Sequence, residues 1–140
     1  MATAFGPGQY SSMDNSATSA ANLEWYVRSF IERGGHHDDP FGLVNRLVGQ
    51  GVVAPDDPMF HPFLYGGRDG AHQRGGFFGL AGWHDEGHVL RALFEGVCFE
   101  HRRHIDTLRS AGATITTVIL SGGGTRSAIW PQMMADILGM

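Results

Sequence analysis

Residues 114–120, Thr-Ile-Thr-Thr-Val-Ile-Leu, are almost all β-branched, and they run straight into Ser121-Gly122-Gly123-Gly124-Thr125-Arg126. β-branched side chains fit a pleated, half-buried surface, so the run predicts a buried strand over residues 115–120. Consecutive glycines beside it leave backbone N–H groups unshielded, and a helix predicted over residues 126–138 would add the unpaired donors of its first turn. Strand, glycine loop and helix together would admit an anionic or planar ligand at the loop. Glycine loops also end strands for steric reasons alone, so the unit by itself leaves both readings open.

The rest of the chain supplies the elements that such a unit packs against. Residues 1–15 are rich in Gly, Ser and Pro and predict an irregular stretch or a weak strand. Leu23, Val27, Phe30 and Ile31 share one face of a helix predicted over residues 16–33, which Gly34 and Gly35 end. A second helix is predicted over residues 40–48, with Pro40 in its first turn and Gly49 and Gly51 closing it. Residues 59–65 and 76–80 read as short strands joined by a polar, glycine-rich connection. From residue 85 to 110, Val89, Leu90, Leu93, Phe94, Val97, Cys98, His101, Ile105 and Leu108 recur at helical spacing before Gly112, predicting a long helix laid across a sheet. No linker divides the chain, so residues 1–140 are read as one domain.

Charge and cysteine content narrow the function classes. A formal charge of −4 without a basic run argues against a nucleic-acid partner, because phosphate neutralisation needs clustered Lys and Arg. No apolar run reaches the roughly 18 residues that span a bilayer, so no membrane partner is expected and the chain is read as cytoplasmic. The single cysteine, Cys98, cannot form an internal disulfide and reads as a small core residue. Glycine, with 21 residues, is concentrated in loops, which implies tight turns and close backbone approaches.

Three blocks of sequence carry a family resemblance. Gly122-Gly123-Gly124, Ser127, Trp130, Gln132, Ala135-Asp136 and Leu138-Gly139 closely resemble the signature helix in the C-terminal domain of the FGGY carbohydrate kinases. Phe60-His61-Pro62-Phe63-Leu64-Tyr65-Gly66-Gly67-Arg68, Arg74-Gly75-Gly76-Phe77-Phe78-Gly79-Leu80, His84, Arg91-Ala92 and Glu95-Gly96-Val97-Cys98-Phe99 follow the order and spacing of the same domain. Ser19-Ala20-Ala21-Asn22-Leu23-Glu24-Trp25 looks like the helix on its phosphate-facing side; the family more often has Asn or Gln where Glu24 stands. Within the family, the wording at residues 60–67 and 80–84 is most similar to the L-xylulose kinase branch.

The resemblance implies an α/β fold: part of an actin-like ATPase (ribonuclease H-like) lobe, a mixed sheet packed by helices and incomplete at both ends. The chain would correspond to the central part of the family's second lobe, with the sugar-binding first lobe absent. For an intact member the resemblance implies transfer of the ATP γ-phosphoryl group to a sugar or polyol hydroxyl, with ATP and Mg²⁺ as cofactors and a ketopentose such as L-xylulose as acceptor. No Asp here matches the family's catalytic Asp, so no catalytic residue is assigned and the chain alone is expected to be inactive. The backbone at Gly123 and Gly124 would face the adenine and ribose, Ser127 would reach a base nitrogen or ribose hydroxyl, and Ala20 would offer an amide near the phosphates.

Other residues are given structural roles. Trp25 and Trp130 read as core anchors, Arg126 as a solvated side chain at a helix start, and Gln132 and Asp136 as hydrogen-bonding to neighbouring loops. Glu95 reads as a structural carboxylate bonded to backbone donors or to an Arg. His84 reads as a loop or helix-cap histidine. The pairs His84/His88 and His101/His104 have spacings that can bind Zn²⁺, but four converging ligands are not evident. Two competing functions remain: a non-catalytic module forming a homo-oligomer through open sheet edges, and a histidine-based metal-binding protein.

Overall fold

The computed structural model describes residues 6, 11–15, 19–67, 70 and 72–140. Part of the expected N-terminal stretch, the first residues of the expected helix from Ser16, and Arg68 lie outside the described residues. The elements are α1 (Ala21–Tyr26), α2 (Pro40–Gln50), β1 (Met59–His61), β2 (Gly76–Phe78), α3 (Glu86–Ser110) and α4 (Trp130–Leu138).

Helix α3 is the axis of the domain, and its sequence explains why. Leu90, Leu93, Phe94, Val97 and Cys98 are at most 1 % exposed, so the centre of the apolar stripe read from the sequence is buried, while Val89, His101, Ile105 and Leu108 are partly buried. Asp85 starts the helix as a capping box: its carboxylate accepts from the His88 amide while His88 Nδ1 accepts from the Asp85 amide. Hydrogen bonding to His88 holds the Asp85 carboxyl below the usual carboxylate range. Around α3 pack α2 through Val44 and Val48, β1 through Phe60, and α4 through Trp130, Met133, Met134 and Leu138. Burying each such side chain is worth about 1.5–3 kcal/mol.

The approach between elements is closest at glycines. A Cβ at Gly96 would sit 2.3 Å from the Phe60 carbonyl oxygen, and one at Gly87 would sit 2.9 Å from that of Leu47. α3 therefore meets β1 and α2 backbone to backbone. β1 and β2 form an antiparallel ladder, Met59 opposite Phe78, Phe60 opposite Phe77 and His61 opposite Gly76. Pro58 and Pro62 flank β1 without an N–H to donate, which keeps the strands to three residues rather than the five to seven expected.

Three expectations are corrected. Residues 115–120 form no strand and join no ladder among the described residues, and Ile119 is 90 % exposed. β propensity favours an extended backbone, but a strand also needs a neighbour's hydrogen bonds, and the described sheet holds β1 and β2 alone. The last helix starts at Trp130, not Arg126: a start at Arg126 would bury Pro131 in the second turn, where its missing N–H breaks the ladder. Residues 123–126 form a separate 3₁₀ turn. The first helix is regular only in α1, then widens to a π turn over Val27–Ile31 and tightens to a 3₁₀ turn over Glu32–Gly34. Phe30, in the π turn, lies against Trp25 and Tyr26 with ring centroids 5.3 and 4.9 Å away.

Cys98 is fully buried, as its sequence context implies. Burial pushes its thiol up to about 12, so the thiolate is scarce at neutral pH. The folded chain should therefore resist a thiol-specific reagent at pH 7.5 and react promptly in denaturant. Fast labelling without denaturant would show that α3 does not stay packed.

Candidate functional site

A cleft of about 580 Å³ opens between the start of α1, the N-terminal half of α2 and the glycine loop ahead of α4. Ala20, Gly123, Gly124 and Ser127 all line it, although about a hundred residues of chain separate the first from the rest. The fold brings them together because α1 and α4 both pack against α3. Phe94 and Trp130 form the floor, their rings stacked with centroids 4.3 Å apart and 16° between planes. Trp130 Nε1 donates to the Phe94 carbonyl at 3.2 Å, and only 6 % of the residue is exposed, so it serves as a core anchor. Trp25 is half-buried beside the same core.

The three glycines have separate physical reasons. Gly122 has φ +97°, a conformation that side chains rarely adopt. Gly124 lies over the Trp130 ring, where a Cβ would come within 3.3 Å of the indole. At Gly123 an added Cβ would meet nothing within 4 Å, so the backbone there faces open space.

Ser127 is more heavily engaged than its sequence position suggested. Its Oγ accepts from the amides of Trp130 (3.0 Å) and Ile129 (3.2 Å), capping the start of α4, and donates to Asn45 Oδ1. Asn45, on α2, was not singled out from the sequence; its carboxamide also donates to the Phe41 carbonyl at 3.0 Å. A polar residue inside a helix offers no sequence signal beyond a solvated face. Asp39 caps α2, accepting from the Gly42 amide at 2.8 Å.

On the α1 side, Ala20 precedes the helix, and among the described residues no side chain caps it. The turn is fixed from behind by Asn22, which is fully buried and donates to the carbonyls of Ser19 (3.2 Å) and Pro62 (3.3 Å), while its Oδ1 has no partner among the described residues. Glu24 and Asp39 place two negative charges and Arg126 one positive charge on the cleft's exposed walls.

The remaining candidates lie elsewhere. His84 Nδ1 accepts from the Ala81 amide at 3.0 Å, as expected of a loop histidine. Glu95 pairs with Arg91 at 2.9 Å. Gln132 and Asp136 bond to each other at 2.8 Å rather than to loops, because residues four apart face one another on a helix. His104 is engaged by Asp14 at 2.9 Å, beside Glu100 and its partner Arg103. Among the described residues no three ligating side chains converge on a metal position.

Comparison with known proteins places this geometry. The family model for the C-terminal domain of the FGGY family of carbohydrate kinases matches residues 6–140. The L-xylulose/3-keto-L-gulonate kinase of Escherichia coli (strain K12) is 34% identical over 133 residues, covering 95% of this chain and 26% of its own length. Among solved structures, xylulose kinase from Rhodospirillum rubrum superposes with a TM-score of 0.79 at 29% identity, over 88% of this chain and 25% of the other. A Brucella ovis kinase described as xyloylose kinase gives 0.72 at 34% identity, over 85% and 24%. The chain thus spans about a quarter of the length of the relatives it matches.

Proposed function

The chain belongs to the FGGY family of carbohydrate kinases, and on that premise we propose that it supplies the nucleotide-binding part of an enzyme transferring the ATP γ-phosphoryl group to a ketopentose such as L-xylulose. The observation that carries this reading is the convergence of Ala20, Gly123, Gly124 and Ser127 on one cleft. The family's actin-like ATPase architecture accounts for that convergence, since the fold folds its first and last described helices onto a common core.

The residues present fit a nucleotide. The open face at Gly123 lets backbone approach a flat ring or ribose, and the uncapped turn at Ala20 offers amide donors of the kind that favour phosphate. When bound, the nucleotide supplies the phosphoryl group; these residues hold and orient it, which is most of what such catalysis requires. The described residues present no carboxylate cluster for Mg²⁺, so we assign the ion to the nucleotide's phosphates and water, its usual partners in such sites. The carboxylate base that activates the sugar hydroxyl is assigned to the family's other lobe, and the chain alone is proposed to be inactive. A cytoplasmic location accords with the absence, among the described residues, of any helix long and apolar enough to cross a membrane.

Calorimetric titration with Mg-ADP tests this reading. The wild-type chain should bind saturably. Gly123→Val should melt like wild type, since its side chain enters open space, yet lose at least about tenfold in affinity, or about 1.4 kcal/mol. A folded wild-type chain that takes up no ADP would refute the proposal. A second reading, self-association through strand pairing, is favoured by residues 115–120, β-prone and unpaired among the described residues, with Ile119 in solvent, and it requires concentration-dependent oligomers instead.

A further inference from the structure

We infer that Asn45 is the side chain that selects the base, with Ser127 holding it in place rather than reading the base itself. The inference rests on the nucleotide reading of the cleft. The Ser127 hydroxyl has one proton, which goes to Asn45 Oδ1, and it already accepts from two backbone amides. It has no free donor to offer a ligand. Among the described residues, the Asn45 carboxamide keeps one N–H and one Oδ1 lone pair without a partner, and it lines the cleft beside Phe41 and Val44.

The orientation of that amide is fixed on both sides. Its nitrogen faces the Phe41 carbonyl, which can only accept, and its oxygen faces the Ser127 hydroxyl. Turning the amide over would set Asn45 Oδ1 against the Phe41 carbonyl, oxygen to oxygen. A locked donor and acceptor side by side match adenine, whose 6-amino group donates and whose adjacent ring nitrogen accepts. Hypoxanthine has a carbonyl at position 6, so a locked Asn45 would face it with an acceptor against an acceptor. A site built around a hydrogen-bonding group rejects the analogue that lacks its complement, and the selection should appear as a ratio of affinities.

The test is the ratio of Mg-ADP to Mg-IDP affinity by calorimetry, for wild type, Asn45→Ala and the nearly isosteric Asn45→Asp, each first shown to melt cooperatively. Wild type should prefer ADP by about tenfold or more, as one well-placed amide pair implies. Asn45→Ala should bring the ratio close to one while still binding both nucleotides through the glycine loop. Asn45→Asp keeps an acceptor facing position 6 and loses the donor to the ring nitrogen, so it should bind both nucleotides more weakly yet still prefer ADP. If folded Asn45→Ala keeps the wild-type ratio, if folded Asn45→Asp loses its preference for ADP, or if wild type binds ADP and IDP equally, the assignment is overturned while the nucleotide reading stands. If folded wild type binds neither, the nucleotide reading fails and the assignment falls with it.

Discussion

Gly96→Val should abolish the cooperative fold, with an expected loss of about 4 kcal/mol or more. The position lies inside α3, where glycine is the poorest ordinary helix former, so propensity alone predicts that any replacement would stabilise by up to about 1 kcal/mol. The packing predicts the opposite sign. A Cβ there would lie 2.3 Å from the Phe60 carbonyl oxygen and 3.2 Å from its carbon. Both are backbone atoms, so no rotamer change relieves the clash; α3 and β1 must separate, and Phe60, which is 4 % exposed, must leave the core. Alanine suffices to reveal the effect, with an expected cost of about 1–3 kcal/mol, and the branched valine adds to it. Chemical denaturation followed by circular dichroism decides between the signs. Gly34→Ala provides the control, because a Cβ at that position meets nothing within 4 Å. Equal stability of Gly96→Ala and wild type would mean that α3 does not rest on β1 as described.

The same contact shows what the sequence could and could not disclose. Helical spacing over residues 85–110 marked α3 with its buried face, and Pro40 marked the start of α2, because one-dimensional periodicity and caps are local properties. α2 runs past its expected end at residue 48, through Gly49 to Gln50. Helical spacing gives no such signal for Gly96: glycine lowers helix propensity, and only the approach of β1 explains it at this position. Pro131 did carry a usable signal, since a proline tolerated only in a first turn fixes the start of α4 near residue 130. Residues 115–120 are the reverse case, with strong local preference and no described partner to turn it into a ladder.

The candidate site was legible to the extent that it depends on glycine and on helix starts. Ala20, Gly123, Gly124 and Ser127 could be named, and the fold places them on one cleft. The polar connections behind them could not. Asn22 and Asn45 look alike in sequence, as asparagines within helical stretches. One is fully buried under the Ala20 turn, and the other bridges α2 to Ser127 across a separation of 82 residues. Long-range hydrogen bonds of this kind depend on the tertiary arrangement, which periodicity does not encode.

Trp130→Ala should cost about 3–5 kcal/mol in stability and abolish nucleotide binding with it. The indole fills the space under the glycine loop: it stacks on Phe94, donates to the Phe94 carbonyl, and supports Gly124, whose absent side chain leaves room for the ring. Truncation to alanine removes all three contacts and opens a cavity beneath the loop, which then has no fixed seat. Trp130→Phe separates the contributions, because it keeps a stacked ring and loses the N–H donor, for an expected cost nearer 1 kcal/mol from that hydrogen bond. Denaturation curves paired with Mg-ADP titrations would read both effects. In Trp130→Ala stability and affinity should fall together, whereas in Gly123→Val affinity should fall alone. A Trp130→Ala chain that remained stable yet bound ADP normally would mean that the loop is positioned from elsewhere, and the cleft floor would lose its assigned role. A chain destabilised as expected but still binding ADP, under conditions where it remains folded, would instead limit Trp130 to the core.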